Sequence, residues 1–268
     1  MKSLGKNTLC GMAIGAAMLI PGVSGGTTAI ILGIYDRLIR AVSDLTKHFK
    51  SNFFFLMQTA VAGLIGVLVF SKAVLWLTDR FYFPMRYFFI GAILGSVPLM
   101  LKKADIKGSN LWQTVFILPG VLMAVGLNFL PRSELTSGNI WLLPVCGLVI
   151  AAALVLPGIS TSHILLVLGM YETVLQAIVA VNWLYIGILG ISVTAGILLC
   201  TKFLEKAMNH FPVQTFLMIT GFVMASVYDI FPGVPASWEI LPSCVMLAGA
   251  FVLVWILSCG EHAAACAG

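Results

Sequence analysis

PGVSGGTTAIILGIYDRLIRAV, Pro21 to Val42, and PGISTSHILLVLGMYETVLQAI, Pro157 to Ile178, align without a gap at an offset of 136 residues, 157 less 21. Pro21/Pro157, Gly22/Gly158, Ser24/Ser160, Leu32/Leu168, Gly33/Gly169, Tyr35/Tyr171 and Ala41/Ala177 are identical, and Asp36/Glu172 keeps an acid in place. A Pro-Gly pair interrupts an apolar helix, because proline lacks the N–H that closes the turn and glycine readily leaves helical angles. Each copy therefore reads as helix, break, helix. Within a bilayer such a break is tolerated only where the freed backbone groups face protein or a wet cavity, so the two breaks are the candidate binding site.

Outward from the motifs, the chain is 60% hydrophobic and 9% charged over 268 residues, with mean hydropathy +1.05. A soluble domain is about 25% charged. This is the composition of an all-α polytopic membrane protein. The net charge of +5 sits mostly in short loops and speaks to orientation in the bilayer, not to nucleic acid. The six cysteines lie in or beside apolar runs without paired short spacing and read as small buried hydrophobes. Cys259, His262 and Cys266 are too few and too terminal to be expected to hold a metal, and no cofactor is expected. Lys2 and Lys6 before an apolar run imitate a signal peptide. The same approach, GLVIAAALVL, precedes the second motif in mid-chain, so the first is expected to be structural.

The duplication extends over each half. Repeat one, 1–131, is expected to hold a hairpin at 9–42, with an approach at 9–20 and a half-helix at 27–42, then spans at 53–77, 85–101 and 111–130. After the polar interval PRSELTSGN, repeat two, 132–268, holds a hairpin at 141–180, with its half-helix from 163, and spans at 183–206, 213–231 and 241–258. Gly66/Gly196, Lys72/Lys202, Phe81/Phe211, Gly91/Gly221 and Ser96/Ser226 continue the likeness at an offset of 130, 196 less 66. The first approach is about 18 Å long, too short for a hydrocarbon core of about 30 Å.

Each half could cross the membrane four times, giving parallel repeats, or three times with a re-entrant hairpin, giving inverted ones. With hairpins, Lys2, Lys6, Arg37, Arg40, Lys47, Lys50, Lys102, Lys103, Lys107, Lys202 and Lys206 share the cytoplasmic side with the N-terminus, and Lys72, Arg80, Arg86 and Arg132 face out. That is eleven of fifteen cations inside, against eight in the crossing arrangement. The positive-inside rule thus favours two inverted repeats, both termini cytoplasmic, and breaks that meet near the midplane.

Half-helices beginning there would turn unpaired N–H groups and positive dipole ends toward one central volume, which suits an anion. Ser24, Gly25, Gly26, Thr27 and Thr28 in one copy, and Ser160, Thr161, Ser162 and His163 in the other, are the candidate binding residues. Helix capping explains one hydroxyl per copy but not three or four. His163 is either a satisfied packing histidine or, as an ionisable group at depth, a coupling residue. Asp36, Arg37 and Glu172, some 14 Å along the half-helices, fall at the interface as anchors or gates, with Tyr35 and Tyr171 in an interfacial belt. Arg80 and FYFPMRYFF, with Arg86 inside it, read likewise as anchor and belt. Arg37 follows the acid in the first copy where Thr173 stands in the second, so one mouth carries a fixed charge that the other lacks.

The paired motifs resemble the bacterial polyprenyl-phosphate transporter (PopT) family over nearly the whole chain. That resemblance implies return of undecaprenyl phosphate from the outer to the inner leaflet of the cytoplasmic membrane for cell-wall synthesis, with Pro21 to Thr28, Pro157 to His163, Tyr35, Asp36, Tyr171 and Glu172 as the matching positions. A looser likeness is to undecaprenyl pyrophosphate phosphatase. Its pattern adds a glutamate pair before the first motif and an arginine after the motif serine, whereas CGMAIGAAML here has no acid and Gly25 and Thr161 follow the serines. Hydrolysis would lack its acid/base and its phosphate clamp. A small-anion transporter is the remaining alternative, disfavoured by the few polar residues on the spans.

Overall fold

The computed structural model describes residues 2–20, 23–104, 111–129, 140–235 and 237–265, and among them the apolar runs form helices only. Helix α1 (Lys2–Ala17) leads to the short helices α2 (Gly25–Ile31) and α3 (Tyr35–Ser43), then to α4 (Phe49–Arg80) and α5 (Tyr82–Lys103). A 3-10 turn at Leu111–Phe116 runs into α6 (Ile117–Asn128). The series then recurs. A 3-10 turn at Ile140–Leu142 opens α7 (Leu143–Val155), followed by short α8 (Thr161–Val167) and α9 (Tyr171–Val179), then α10 (Trp183–His210), α11 (Pro212–Ile230) and α12 (Ser237–Ala265). Pro21, Gly22, the boundary at 131/132 and Cys266 lie outside the described residues, and the side chains of Ser162, Cys259 and His262 outside the described side chains.

Five helices are long and apolar enough to cross a membrane: α4, α5, α10, α11 and the Trp238–Ile256 part of α12. Their outward faces carry Leu64, Leu68, Ile191 and Phe203, each more than 60% exposed, a surface suited to lipid rather than water. The chain is a multi-pass membrane protein. The span expected at 111–130 is composite. Pro119 offers no N–H to the carbonyl four residues back and crowds it, so the preceding turns tighten to 3-10 before α6 begins. Six residues at about 2 Å and twelve at about 1.5 Å still reach about 30 Å.

The half-helices expected at 27–42 and from 163 are each two helices. Gly33 (φ 70°) donates to the Ile30 carbonyl and Ile34 to that of Ala29, and Gly169 (φ 66°) and Met170 repeat the pair on Leu166 and Leu165. These are Schellman caps, in which a left-handed residue ends the helix and turns the chain. Both fall on the Leu-Gly pair shared by the motifs.

Close backbone contact holds the helices together, as expected where lipid leaves no hydrophobic drive between them. Helix α1 lies along α4 with Gly15 against the Gly63 backbone and Gly66 against Met12, and α7 lies along α10 with Gly196 against Ala151. The later helices exchange partners: α5 packs on α12, and α11 on α6. Arg86 bonds the Ile230 carbonyl at 3.1 Å across the α5–α11 contact and lies over the Tyr82 ring, so it is a structural tie. The core around α2, α3, α5 and α11 buries Ile30, Ile93, Leu217 and Val223 almost completely.

Candidate functional site

Ser24 is extended (φ −90°, ψ 147°) and opens α2 as its N-cap, accepting the Thr27 N–H at 3.1 Å. Its hydroxyl oxygen also accepts the Gly158 N–H, from the second break, at 3.2 Å. With both lone pairs engaged, the Ser24 proton goes to Thr27 Oγ1, 2.8 Å away. The two breaks therefore touch. A Cβ on Gly26 would press on Pro157 Cα at 3.1 Å, and one on Gly158 (φ 83°) would strike the Phe222 carbonyl, so close approach requires glycine at 158 and favours it at 26.

Beside this junction lies a cavity of about 710 Å³. Ser24, Gly25, Gly26, Ser160 and Thr161 line it at the junction, and the rest is mostly apolar residues of α1, α3, α4, α7 and α10 such as Ile14, Leu38, Val67 and Ile197, with Thr59 and Thr201 among them. Met18, Leu64 and Leu154 line it and are exposed, so the cavity is open rather than enclosed. Gly25, Gly26 and Thr161 stand in first helical turns, whose N–H groups have no intrahelical acceptor. Ser160 caps nothing with its side chain, so its hydroxyl is free to donate into the cavity.

Of the other candidates, Thr27 and Thr28 are buried behind the junction, Thr28 Oγ1 donating to the Ser24 carbonyl at 3.2 Å. His163 is not on the cavity wall; its Nε2 lies 3.4 Å from the Leu127 carbonyl oxygen, against α6. Asp36 and Arg37 sit on the face of α3 opposite the cavity, Asp36 paired with Lys103 at 2.5 Å and Arg37 stacked 4.2 Å over Phe55. Glu172 is exposed.

Sequence reasoning missed the role of Tyr35. It is 4% exposed, and its hydroxyl donates to the Val155 carbonyl at the end of α7 at 2.8 Å. Tyr171, its counterpart, is 43% exposed. Helix α3 packs closely on α10, and no equally extensive contact joins α9 to α4 among the described residues. The signal available was a phenol in an apolar setting, which must find an acceptor when buried.

Residues 14–243 match the family model described as undecaprenyl phosphate translocase-like. A polyprenyl-phosphate transporter of Staphylococcus aureus (strain NCTC 8325 / PS 47) is 32% identical over 247 residues, 86% of this chain and 87% of that protein. Another, of Vibrio cholerae serotype O1 (strain ATCC 39315 / El Tor Inaba N16961), is 32% identical over 250 residues, 87% of this chain and 79% of that protein. No solved structure matches the chain. With the paired motifs in contact and the match running across both halves, the chain belongs to the undecaprenyl phosphate translocase-like family.

Proposed function

We propose that the protein carries the phosphate headgroup of a polyprenyl phosphate, in bacteria undecaprenyl phosphate, from the outer to the inner leaflet of the cytoplasmic membrane, returning the carrier lipid to cell-wall synthesis. The observation that carries this reading is the open cavity, polar where the two breaks meet and mostly apolar beyond. A phosphate cannot cross about 30 Å of hydrocarbon unaided, since one charge at the centre already costs several kcal/mol. The first-turn N–H groups of Gly25, Gly26 and Thr161 and the Ser160 hydroxyl supply donors at that depth, while the isoprenoid tail stays in lipid along the apolar walls.

The halves are inverted repeats with re-entrant hairpins. Gln58 of α4 bonds the Leu4 carbonyl and Gly63, halfway along α4, meets Gly15, which supports α1 entering beside α4 and stopping near its middle. Asp36 then meets Lys103 at the end of α5, which supports a return to the side of entry. Lys47, before α4, interacts chiefly with Asp44 and more weakly with Glu205 near the end of α10, which supports the equivalent long helices running in opposite senses. With the 111–128 segment as sixth crossing, both termini are cytoplasmic. Transport is alternating access, the repeats rocking about the junction; Tyr35 on Val155 closes one side and exposed Tyr171 marks the other. His163 holds α8 to α6 rather than the headgroup.

The test is leaflet exchange of labelled undecaprenyl phosphate in proteoliposomes. Protein should speed exchange over empty liposomes, and Ser160→Ala should slow it by about tenfold through one lost charge-assisted donor. No acceleration, with phosphate released from undecaprenyl pyrophosphate instead, would replace the transporter by an enzyme.

A further inference from the structure

On the face of α3 turned away from the cavity is a second, polar pocket of about 380 Å³, lined by Asp36, Arg37, Arg40, Asp44, His48 and Asn52. Spacings of three and four put Arg37, Arg40 and Asp44 on one side of the helix. Both carboxylates already have partners, Asp36 with Lys103 at 2.5 Å and Asp44 with Lys47 at 2.6 Å. The hydrogen bond to Asp44 raises the Lys47 pKa from its ordinary value, as a formed pair should. Neither arginine has a carboxylate partner among the described residues. Arg37 rests one face on Phe55, which fixes its plane and leaves its N–H edge free, and Asn52 is held by its bond to the Asp44 carbonyl. With Lys47 and Lys103 counted, four cations stand around the three carboxylates of Asp36, Asp44 and Glu205, and the cations left without a carboxylate are the guanidinium forks of Arg37 and Arg40, one turn apart. Phe49 and Phe53, stacked at 5.3 Å, stand exposed where α4 begins, beside the lining residues His48 and Asn52.

We infer that this pocket is a second anion site, separate from the cavity, that recognises a phosphate group whether lipid-borne or free in water. Arginine forks match phosphate oxygens, and a tetrahedral phosphate can engage both forks where a planar carboxylate is satisfied by one. Because α3 is the shared wall, its charged face serves this site and its apolar face, with Leu38, Ile39 and Val42, lines the cavity. The site stands whether or not the cavity carries lipid.

The experiment is arginine footprinting of the full-length protein in detergent micelles with phenylglyoxal, read by mass spectrometry. One arm contains inorganic phosphate, another a short-chain polyprenyl phosphate, and the reference is chloride at equal ionic strength. Arg37 and Arg40 should be protected while Arg80 is not. Protection in both arms, or in one, supports the site and identifies the source of the phosphate. In a folded Arg37→Gln/Arg40→Gln protein, checked by circular dichroism, phosphate affinity should fall about tenfold or more. Ser160→Ala should leave the protection intact. Protection no greater than chloride gives in either arm, or protection lost with Ser160→Ala, would overturn the second site.

Discussion

The Ser24 hydroxyl accepts backbone N–H groups from Thr27 and Gly158, whereas Ser160 caps nothing with its side chain. Replacing Ser24 by Ala strands two donors at the junction and should cost about 2 kcal/mol of stability. Ser160→Ala should change stability by no more than about 0.5 kcal/mol yet weaken headgroup binding. Thermal unfolding in micelles, paired with lipid titration, separates the two; equal destabilisation would contradict the assignment. The sequence made the clustering of hydroxyls legible through the repeated Pro-Gly-x-Ser. It could not say which proton was free, because the partner that occupies Ser24 is Gly158, in the other half of the chain. Nor could it aim His163, whose acceptor is a carbonyl on α6.

Helix α3 meets the end of α7 through one hydroxyl, that of Tyr35 on the Val155 carbonyl. Tyr35→Phe keeps the ring and removes a hydrogen bond worth about 1 kcal/mol, enough to raise an opened population roughly fivefold. Maleimide labelling of Ile39→Cys, a buried position on the cavity wall, should speed up by that order, and Tyr171→Phe should leave it unchanged. An unaltered rate in Tyr35→Phe would mean that α3 is not latched there. At this scale the breaks were legible and the second bends were not. The apolar run from Thr27 to Val42 reads as one helix, and only the Leu-Gly pair at Gly33 and Gly169 betrays the Schellman caps. Those caps turn α3 so that Asp36 and Arg37 leave the cavity for a pocket of their own.

Across the whole molecule, α4 and α10, like α5 and α11, occupy equivalent places in the two halves, and the exchange of α5 onto α12 and α11 onto α6 interlocks them. The proposed inversion of the halves would put Asp36 and Glu172 on opposite sides of the membrane. In a protein cleared of native cysteines, an external thiol reagent should modify Glu172→Cys and spare Asp36→Cys; equal labelling would refute the inversion. The long apolar runs made the long helices legible to within about two turns. The 111–130 run was mistaken for a plain helix because hydropathy does not register what Pro119 does to the turns before it. What joins these scales is the claim that a phosphate headgroup sits where the two breaks touch. The most direct measurement is an experimental structure of the protein with undecaprenyl phosphate in a nanodisc. The account predicts phosphorus within hydrogen-bond reach of the Gly25, Gly26 and Thr161 N–H groups, its tail leaving past Met18 and Leu64. A headgroup found only against Arg37 and Arg40, with the cavity empty, would contradict it.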